Sequence, residues 1–225
     1  MNILVLDCAV TKLSIAVKTD DKFISQTYDI GMRQSEILVP TIDEILTKAG
    51  IEAKDLNYSA LTIGPGSFTG LRLGISALKA IELAYNVPVY GISSLTVYAY
   101  AYKDLGLPIL TCIDANKDKF YASLIDQNTL LLDEGDYEVE EIISKLKGLS
   151  KVLIAGPDAQ KLASIIRENK KDIEVLTTKA SAMTTEALAA ITEDKVSKGE
   201  AALQDYDGPV YLRASEAELA LKNKN

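Results

Sequence analysis

The chain of 225 residues has no histidine, no tryptophan and only two cysteines, and each shortage removes a class of function. Without histidine there is no Ser-His-Asp triad, no Cys-His pair, no His-ligated zinc and no imidazole acting as acid or base near neutral pH. Cys8 and Cys112 each lie in an apolar run that reads as a buried strand, which suits small hydrophobes better than nucleophiles or a disulfide. So little cysteine also fits a reducing compartment. Basic charge is short as well: 24 Lys and Arg face 32 Asp and Glu, for a net charge of −8. Such a balance disfavours nucleic-acid binding through the chain's own global field. Long hydrophobic runs are missing too. The longest uncharged stretch, 83–102, holds Asn86, Pro88, Gly91, Ser93, Ser94 and five tyrosines, which argues against a spanning helix. The N-terminus has no basic leader and places Asp7 where a signal peptide needs apolar residues, so a cytoplasmic protein is expected.

The acidity is uneven. Residues 1–105 carry 9 basic and 11 acidic side chains, leaving most of the negative charge to the second half. Residues 126–141 carry seven acidic and no basic groups, whereas 145–171 carry seven basic and two acidic. Runs of this kind are usually solvated helix faces.

The chain is, by contrast, rich in internal similarity. Leu4-Val5-Leu6-Asp7 is an apolar strand ending in aspartate, followed by the alternating Leu13-Ser14-Ile15-Ala16-Val17. With a shift of 107, Thr111-Cys112-Ile113-Asp114 and Phe120-Tyr121-Ala122-Ser123-Leu124 repeat the pattern, and Lys12 matches Lys119. With a shift of 92, Leu61-Thr62-Ile63-Gly64-Pro65-Gly66 matches Leu153-Ile154-Ala155-Gly156-Pro157-Asp158, each ahead of a helical stretch. Two similar α/β lobes are therefore predicted, 1–106 and 107–225, joined near Gly106-Leu107-Pro108. A last helix at about 214–222 would pack back on the first lobe. A duplicated hairpin-and-helix unit with aspartate ending each first strand resembles the actin-like ATPase fold of sugar kinases, Hsp70 and actin, an RNase H-like α/β architecture. There the two aspartates face each other across a cleft.

The sharpest local motif is Gly64-Pro65-Gly66-Ser67-Phe68-Thr69-Gly70-Leu71-Arg72-Leu73-Gly74. It follows a strand and opens a helix, the setting in which backbone amides hold an anion. It is neither a Walker loop nor a Rossmann fingerprint, because the later glycines and the Gly-Lys-Ser/Thr are missing. Two readings stand side by side: a phosphate cradle using Asp7, Gly64, Gly66, Ser67, Gly70 and Asp114, or a tight turn with close helix packing.

The helix over about 70–85 has two apolar faces. One is Leu71, Ile75, Leu78 and Ile81; the other, made mostly of small residues, is Leu73, Ala77, Ala80 and Ala84. Only Arg72, Ser76, Lys79 and Glu82 are polar, so either the helix is enclosed by its own domain or one face meets another chain. A second helix over about 36–49 carries Leu38, Ile42, Ile45 and Ala49 in a row, with Pro40 in its first turn and Gly50 at its stop.

The loop motif resembles the signature of the bacterial TsaB (YeaZ) family. Arg33-Gln34-Ser35-Glu36 with Leu38 and Pro40, Pro88-Val89-Tyr90-Gly91-Ile92-Ser93-Ser94-Leu95, Ile113-Asp114-Ala115 with Phe120-Tyr121, and Pro209-Val210-Tyr211-Leu212-Arg213 match in order along the chain. The resemblance implies an actin-like fold and a non-catalytic scaffold. It also implies dimerisation with a larger paralogue, TsaD, which transfers a threonylcarbamoyl group to the adenosine beside the tRNA anticodon. An ATPase subunit, TsaE, would join the pair, and the chain alone would homodimerise. Transferred to this sequence, the partner interface would comprise Ser35, Glu36, Leu38, Ile42, Ile45, Leu71, Arg72, Leu73, Gly74, Ala77, Ala80 and Ala84. The family's usual Asp-Thr-Ser is here Asp7-Cys8-Ala9, and Gln34 stands where a histidine commonly precedes Ser-Glu.

The residues also bear on catalysis. Phosphate-binding actin-like clefts favour glycine after each aspartate, and here Cys8-Ala9 and Ala115-Asn116 follow. The expectation is thus a supporting subunit with no catalytic residue, no metal and no tightly bound cofactor, ATP or ADP with Mg²⁺ lying at a subunit interface of the complex. The tRNA would be held mainly through the complex. The alternative is an actin-like small-molecule kinase or ATPase using Asp7 and Asp114.

Overall fold

The computed structural model describes residues 1–127, 129–178 and 184–213. The helix expected at 214–222 lies outside the described residues.

In the first lobe, β1 (Ile3–Asp7) is buried along its whole length, whereas β3 (Phe23–Asp29) alternates between exposed and half-buried residues. That contrast is the difference between a central strand covered on both faces and an edge strand wet on one. Between them β2 (Lys12–Lys18) pairs antiparallel with both, Asp7 facing Ser14. Then follow α1 (Gln34–Ala49), β4 (Tyr58–Gly64), α2 (Phe68–Tyr85), β5 (Val89–Ser93) and α3 (Ser94–Tyr100). β4 and β5 are parallel to β1, which gives the order β3-β2-β1-β4-β5.

The second lobe repeats this plan. Its strands are β6 (Ile109–Asn116), β7 (Lys119–Asp126), β8 (Thr129–Glu138), β9 (Lys151–Ala155) and β10 (Glu174–Thr177), with α4 (Val139–Lys145) before β9 and α5 (Ala159–Asn169) after it. The sheet order β8-β7-β6-β9-β10 and the sense of every pairing match the first sheet. The duplicated hairpins and Gly-Pro turns of the sequence thus fold as two equivalent α/β lobes, the actin-like arrangement.

The two lobes exchange helices. α3 packs on β6 and β7, while α6 (Thr184–Ser197) lies against β1 and β2. Residues of α6 (Ala187, Leu188, Ala189, Ile191) complete a core with Ile3, Val5, Ala16 and Ala60 on one face of the first sheet. The opposite face is covered by α1 and α2 through Leu38, Ile42, Ile45, Ile75 and Leu78. The second lobe has its own core around Phe120, Ile142, Leu162 and Ile166. A small cluster of Leu95, Tyr98 and Ile113, with Val10 and Tyr121 against it, joins the lobes. Among the described residues no helix is long and apolar enough to cross a membrane.

Candidate functional site: an inter-lobe cleft and a helix face

A cleft of about 440 Å³ opens between the lobes, lined by Ala9, Thr11, Gln34, Ser67 and Gly70 on one side and Asp114, Asn116, Tyr121 and Asp158 on the other. The fold therefore brings the glycine loop and Asp114 to one place. Asp7 lies deeper, 3% exposed, on a separate cavity of about 170 Å³ that it shares with Lys12, Ser14, Tyr98 and Thr184. Its Oδ1 accepts hydrogen bonds from the Ala9 amide (3.1 Å) and the Thr62 hydroxyl (2.9 Å), and the Thr184 side chain bonds to it as well. Burial pushes this carboxyl above the usual aspartate range, and the hydrogen bonds only partly offset the effect.

Asp114 is 25% exposed and differently held. Its Oδ2 pairs with Lys161 at 2.6 Å, and its Oδ1 accepts the Asn116 amide at 2.9 Å. Burial opposes its charge, but the Lys161 hydrogen bond and the Asn116 amide outweigh it and hold the carboxyl below the ordinary value. The Asp114 amide in turn donates to Asp158 Oδ2 at 2.7 Å, one residue ahead of α5. The Asp158 side chain thus ties α5 to the end of β6 and makes no capping hydrogen bond to the amides of its own helix. The turn beyond, Asn116, Lys117 and Asp118, runs through three consecutive left-handed conformations (φ 61, 56 and 58°).

The glycine loop is closely packed. A Cβ on Gly66 would overlap the Ala9 carbonyl oxygen, and one on Gly70 the Cys8 carbonyl oxygen. The Ser67 amide donates to Ala9 O at 2.6 Å, and the Ser67 hydroxyl caps the Gly70 amide at 3.2 Å. These glycines serve the close approach of α2 to the first hairpin turn, and the amides of Ser67 and Gly70 are already bonded within the chain. Gly64, at φ 120°, makes room for the Val210 carbonyl instead. Gln34, in the position of the family's histidine, is buried and donates from Nε2 to Val10 O at 2.6 Å, pinning the start of α1 to the same turn.

An actin-like fold implies a nucleotide with Mg²⁺ in this cleft. The residues present do not fit that group: two loop amides are consumed, side chains follow both aspartates, Asp158 faces the Asp114 amide, and Asp7 is 3% exposed with Oδ1 bonded to Ala9 and Thr62. Among the described residues no three His, Cys, Asp or Glu side chains converge as metal ligands. Both thiols are buried and pushed up by burial, reinforced by neighbouring aspartates, so neither is a thiolate near neutral pH.

The residues assigned to a partner interface divide. Leu38, Ile45 and Leu71 are fully buried, and Ile42 and Gly74 are buried too, beneath α1 and α2 against the first sheet. These residues pack within the chain's own first lobe. Ser35, Glu36, Arg72, Ala80 and Ala84 are exposed, and Leu73 and Ala77 are half-buried. Ala80 and Ala84 thus point outward, while Leu73 and Ala77 pack against the first-lobe core. Val39 (63% exposed) on α1 and Leu83 (88%) on α2 are large apolar side chains that also stand in solvent, and Phe68 (44%) stacks against Tyr211. Among the basic residues of 145–171, Lys151, Lys161 and Lys170 pair with Glu174, Asp114 and Asp172, so part of that charge is neutralised within the chain.

Residues 30–223 match the family described as TsaD: tRNA N6-adenosine threonylcarbamoyltransferase. The chain is similar to the tRNA threonylcarbamoyladenosine biosynthesis protein TsaB of Buchnera aphidicola subsp. Schizaphis graminum, 31% identical over 181 residues that cover 76% of this chain and 84% of the relative. It is 28% identical to the Escherichia coli protein of the same description, with both chains covered in full. Among solved structures, YeaZ from Pseudomonas aeruginosa superposes with a TM-score of 0.72 at 21% identity, covering 94% of this chain and 99% of that one.

Proposed function

The chain belongs to the TsaB (YeaZ) family within the wider group of tRNA threonylcarbamoyl-transferase proteins, and from that premise we propose that it is a supporting, non-catalytic subunit of tRNA threonylcarbamoyladenosine synthesis. In this reading it pairs with the catalytic paralogue TsaD, is joined by TsaE, and self-associates when alone. The observation that carries the supporting role is the packed glycine loop. Gly66 and Gly70 are filled by the carbonyls of Ala9 and Cys8, and the loop amides of Ser67 and Gly70 are bonded internally. A subunit that keeps the fold without the phosphate cradle has a surface to offer rather than a reaction to run.

That surface is the outward face of α1 and α2, where Val39, Ala80, Leu83 and Ala84 stand exposed. Small side chains let a partner helix approach closely, and Val39 and Leu83 add apolar area at its margins. The tRNA is held mainly by the other subunits, since this chain is acidic and part of its basic run is internally paired. No cofactor is tightly bound in the cleft; ATP or ADP with Mg²⁺ belongs to an interface of the assembled complex.

The decisive experiment mixes the purified chain with TsaD and TsaE and measures complex mass and threonylcarbamoyl transfer to tRNA. Transfer that requires this chain, with no ATP turnover by the chain alone, supports the proposal. Turnover by the chain alone, lost in Asp7→Asn, would establish the kinase or ATPase alternative in its place.

A further inference from the structure

After α6, which itself packs on the first sheet, the chain keeps to the first lobe. The Leu203 amide donates to Val89 O at 2.7 Å on the edge of β5, and Lys79 Nζ holds the carbonyls of Leu203 and Gln204 at 3.1 and 3.0 Å. Further on, the Val210 amide donates to Ile63 O at 2.7 Å, and the Val210 carbonyl sits where a side chain on Gly64 would be. Tyr211 stacks on Phe68 with ring centroids 5.0 Å apart, and Arg72 Nε donates to its hydroxyl at 3.0 Å. Residues 203–211 are thus fastened to the first lobe at four successive points, the last beside the N-terminus of α2.

Two residues later the attachment changes lobes. Arg213 makes a two-pronged pair with Asp136 of β8, Nε to Oδ2 at 2.6 Å and Nη2 to Oδ1 at 2.8 Å. Its Nη1 donates to the Ala115 carbonyl at 2.6 Å, and its guanidinium lies 5.8 Å from the Tyr121 ring centroid. Asp136 and Arg213 are 17% and 25% exposed, so solvent screens the pair only in part. Ala115 and Tyr121 belong to one wall of the inter-lobe cleft, and Ser67 and Gly70, which follow Gly64 in the glycine loop, to the other.

We propose that residues 203–213 form a clasp that fixes the opening of the cleft, with Arg213 as the positioning residue that locks the second lobe to a strap anchored on the first. Packing of α3 on β6 and of α6 on β1 joins the lobes through their exchanged helices, with Ser93 and Thr96 hydrogen-bonded to Glu134 at 2.5 and 3.1 Å. The clasp adds a covalently continuous tie. Only Leu212 separates its last anchor on the first lobe, Tyr211, from its grip on the second, and a linker that short leaves little freedom between the two attachments. A guanidinium is needed because a single ammonium cannot hold both carboxylate oxygens and a carbonyl in one plane.

The test uses the full chain carrying nitroxide labels at Thr47→Cys and Glu168→Cys, exposed positions on α1 and α5, with inter-label distances read by pulsed electron resonance. The parent chain is expected to give one narrow distance. Arg213→Ala and Asp136→Asn should each broaden or shift it, while far-ultraviolet circular dichroism stays unchanged, and Arg213→Lys should fall between. An unchanged distribution in both Arg213→Ala and Asp136→Asn would overturn the proposal. So would loss of folded structure in both variants, since a clasp joins two lobes without building either.

Discussion

Asp7 and Asp114 stand at equivalent points of a duplicated fold, both on the first strand of their lobe, and they have been put to opposite uses. Asp7 is enclosed by Ala9, Thr62 and Thr184, and burial disfavours its charge. Asp114 is partly open to the cleft, and Lys161 and the Asn116 amide favour its charge. The glycines around them differ in the same sense. In the first lobe Gly66 and Gly70 admit the carbonyls of Ala9 and Cys8; in the second Gly156 admits the carbonyl of Cys112, and the carboxylate of Asp158 reaches back to the Asp114 amide. On the first-lobe side of the cleft the glycines are taken up by close packing, and on the second-lobe side a carboxylate of the protein itself holds the Asp114 amide. The lesson is that a duplicated fold fixes where chemistry could sit, while a few side chains decide whether it does.

The strongest way to break this comparison is at Gly70. If the loop is a packing device, Gly70→Ala forces a methyl group into the Cys8 carbonyl, backbone that cannot swing aside. The expected loss is about 3 kcal/mol of unfolding free energy, read from urea denaturation. Gly50→Ala is the control. It has a left-handed backbone but open space, so the expected loss is about 1 kcal/mol. Equal losses at the two positions would mean that the contact with the first turn is loose.

How much of this was legible beforehand depended on range. An apolar strand ending in aspartate, an alternating return strand and a Gly-Pro turn are local patterns, and their recurrence at fixed offsets revealed both hairpins and the equivalence of the two sheets. The two apolar faces of α2 were equally visible, yet which of them turns inward depends on how the helix crosses the sheet. Leu71 and Leu78 face the core, while Ala80 and Ala84 face out. Val39 and Leu83 fall outside the apolar rows of their helices, and nothing local shows whether an apolar side chain at a helix margin is covered or exposed. The Arg213–Asp136 pair joins residues 77 positions apart, and the return of α6 to the first sheet is longer still in range. Neither leaves a periodic trace. The match of Gly66 and Gly70 to a phosphate loop was ambiguous because tight packing and anion binding both demand glycine ahead of a helix.

The two aspartates supply a test with opposite signs. Asp7 has a folded value raised above the ordinary 3.8, so its contribution to stability is complete below that pH and is lost as pH rises through the folded value. Asp7→Asn should therefore gain on the parent chain as pH increases. Asp114 is depressed, so its contribution is present above 3.8 and is lost as pH falls through the folded value. Asp114→Asn should cost about 1 kcal/mol near neutrality, and the cost should fade in acid. Urea midpoints of the three proteins across pH would show diverging lines of opposite slope. Parallel lines for both variants would mean that the two carboxylates are held alike after all.

The smallest expected effect on stability is also the one that separates inward from outward faces most cleanly. Ala80 is exposed on α2, whereas Leu71 on the same helix is fully buried. Ala80→Arg places a long charged side chain in solvent and should leave the unfolding free energy within about 0.5 kcal/mol of the parent. If the outward face of α2 is where a partner helix sits, the same substitution introduces a charge and a bulky chain into the closest approach of the two surfaces. Association with TsaD, and self-association in its absence, should then be lost in sedimentation or mass measurements while the fold persists. Leu71→Ala should do the reverse, costing about 3 kcal/mol of stability through the cavity it leaves, with association preserved wherever the chain remains folded. Association that survives Ala80→Arg would move the partner surface off α2 and leave its small residues without the role argued for them.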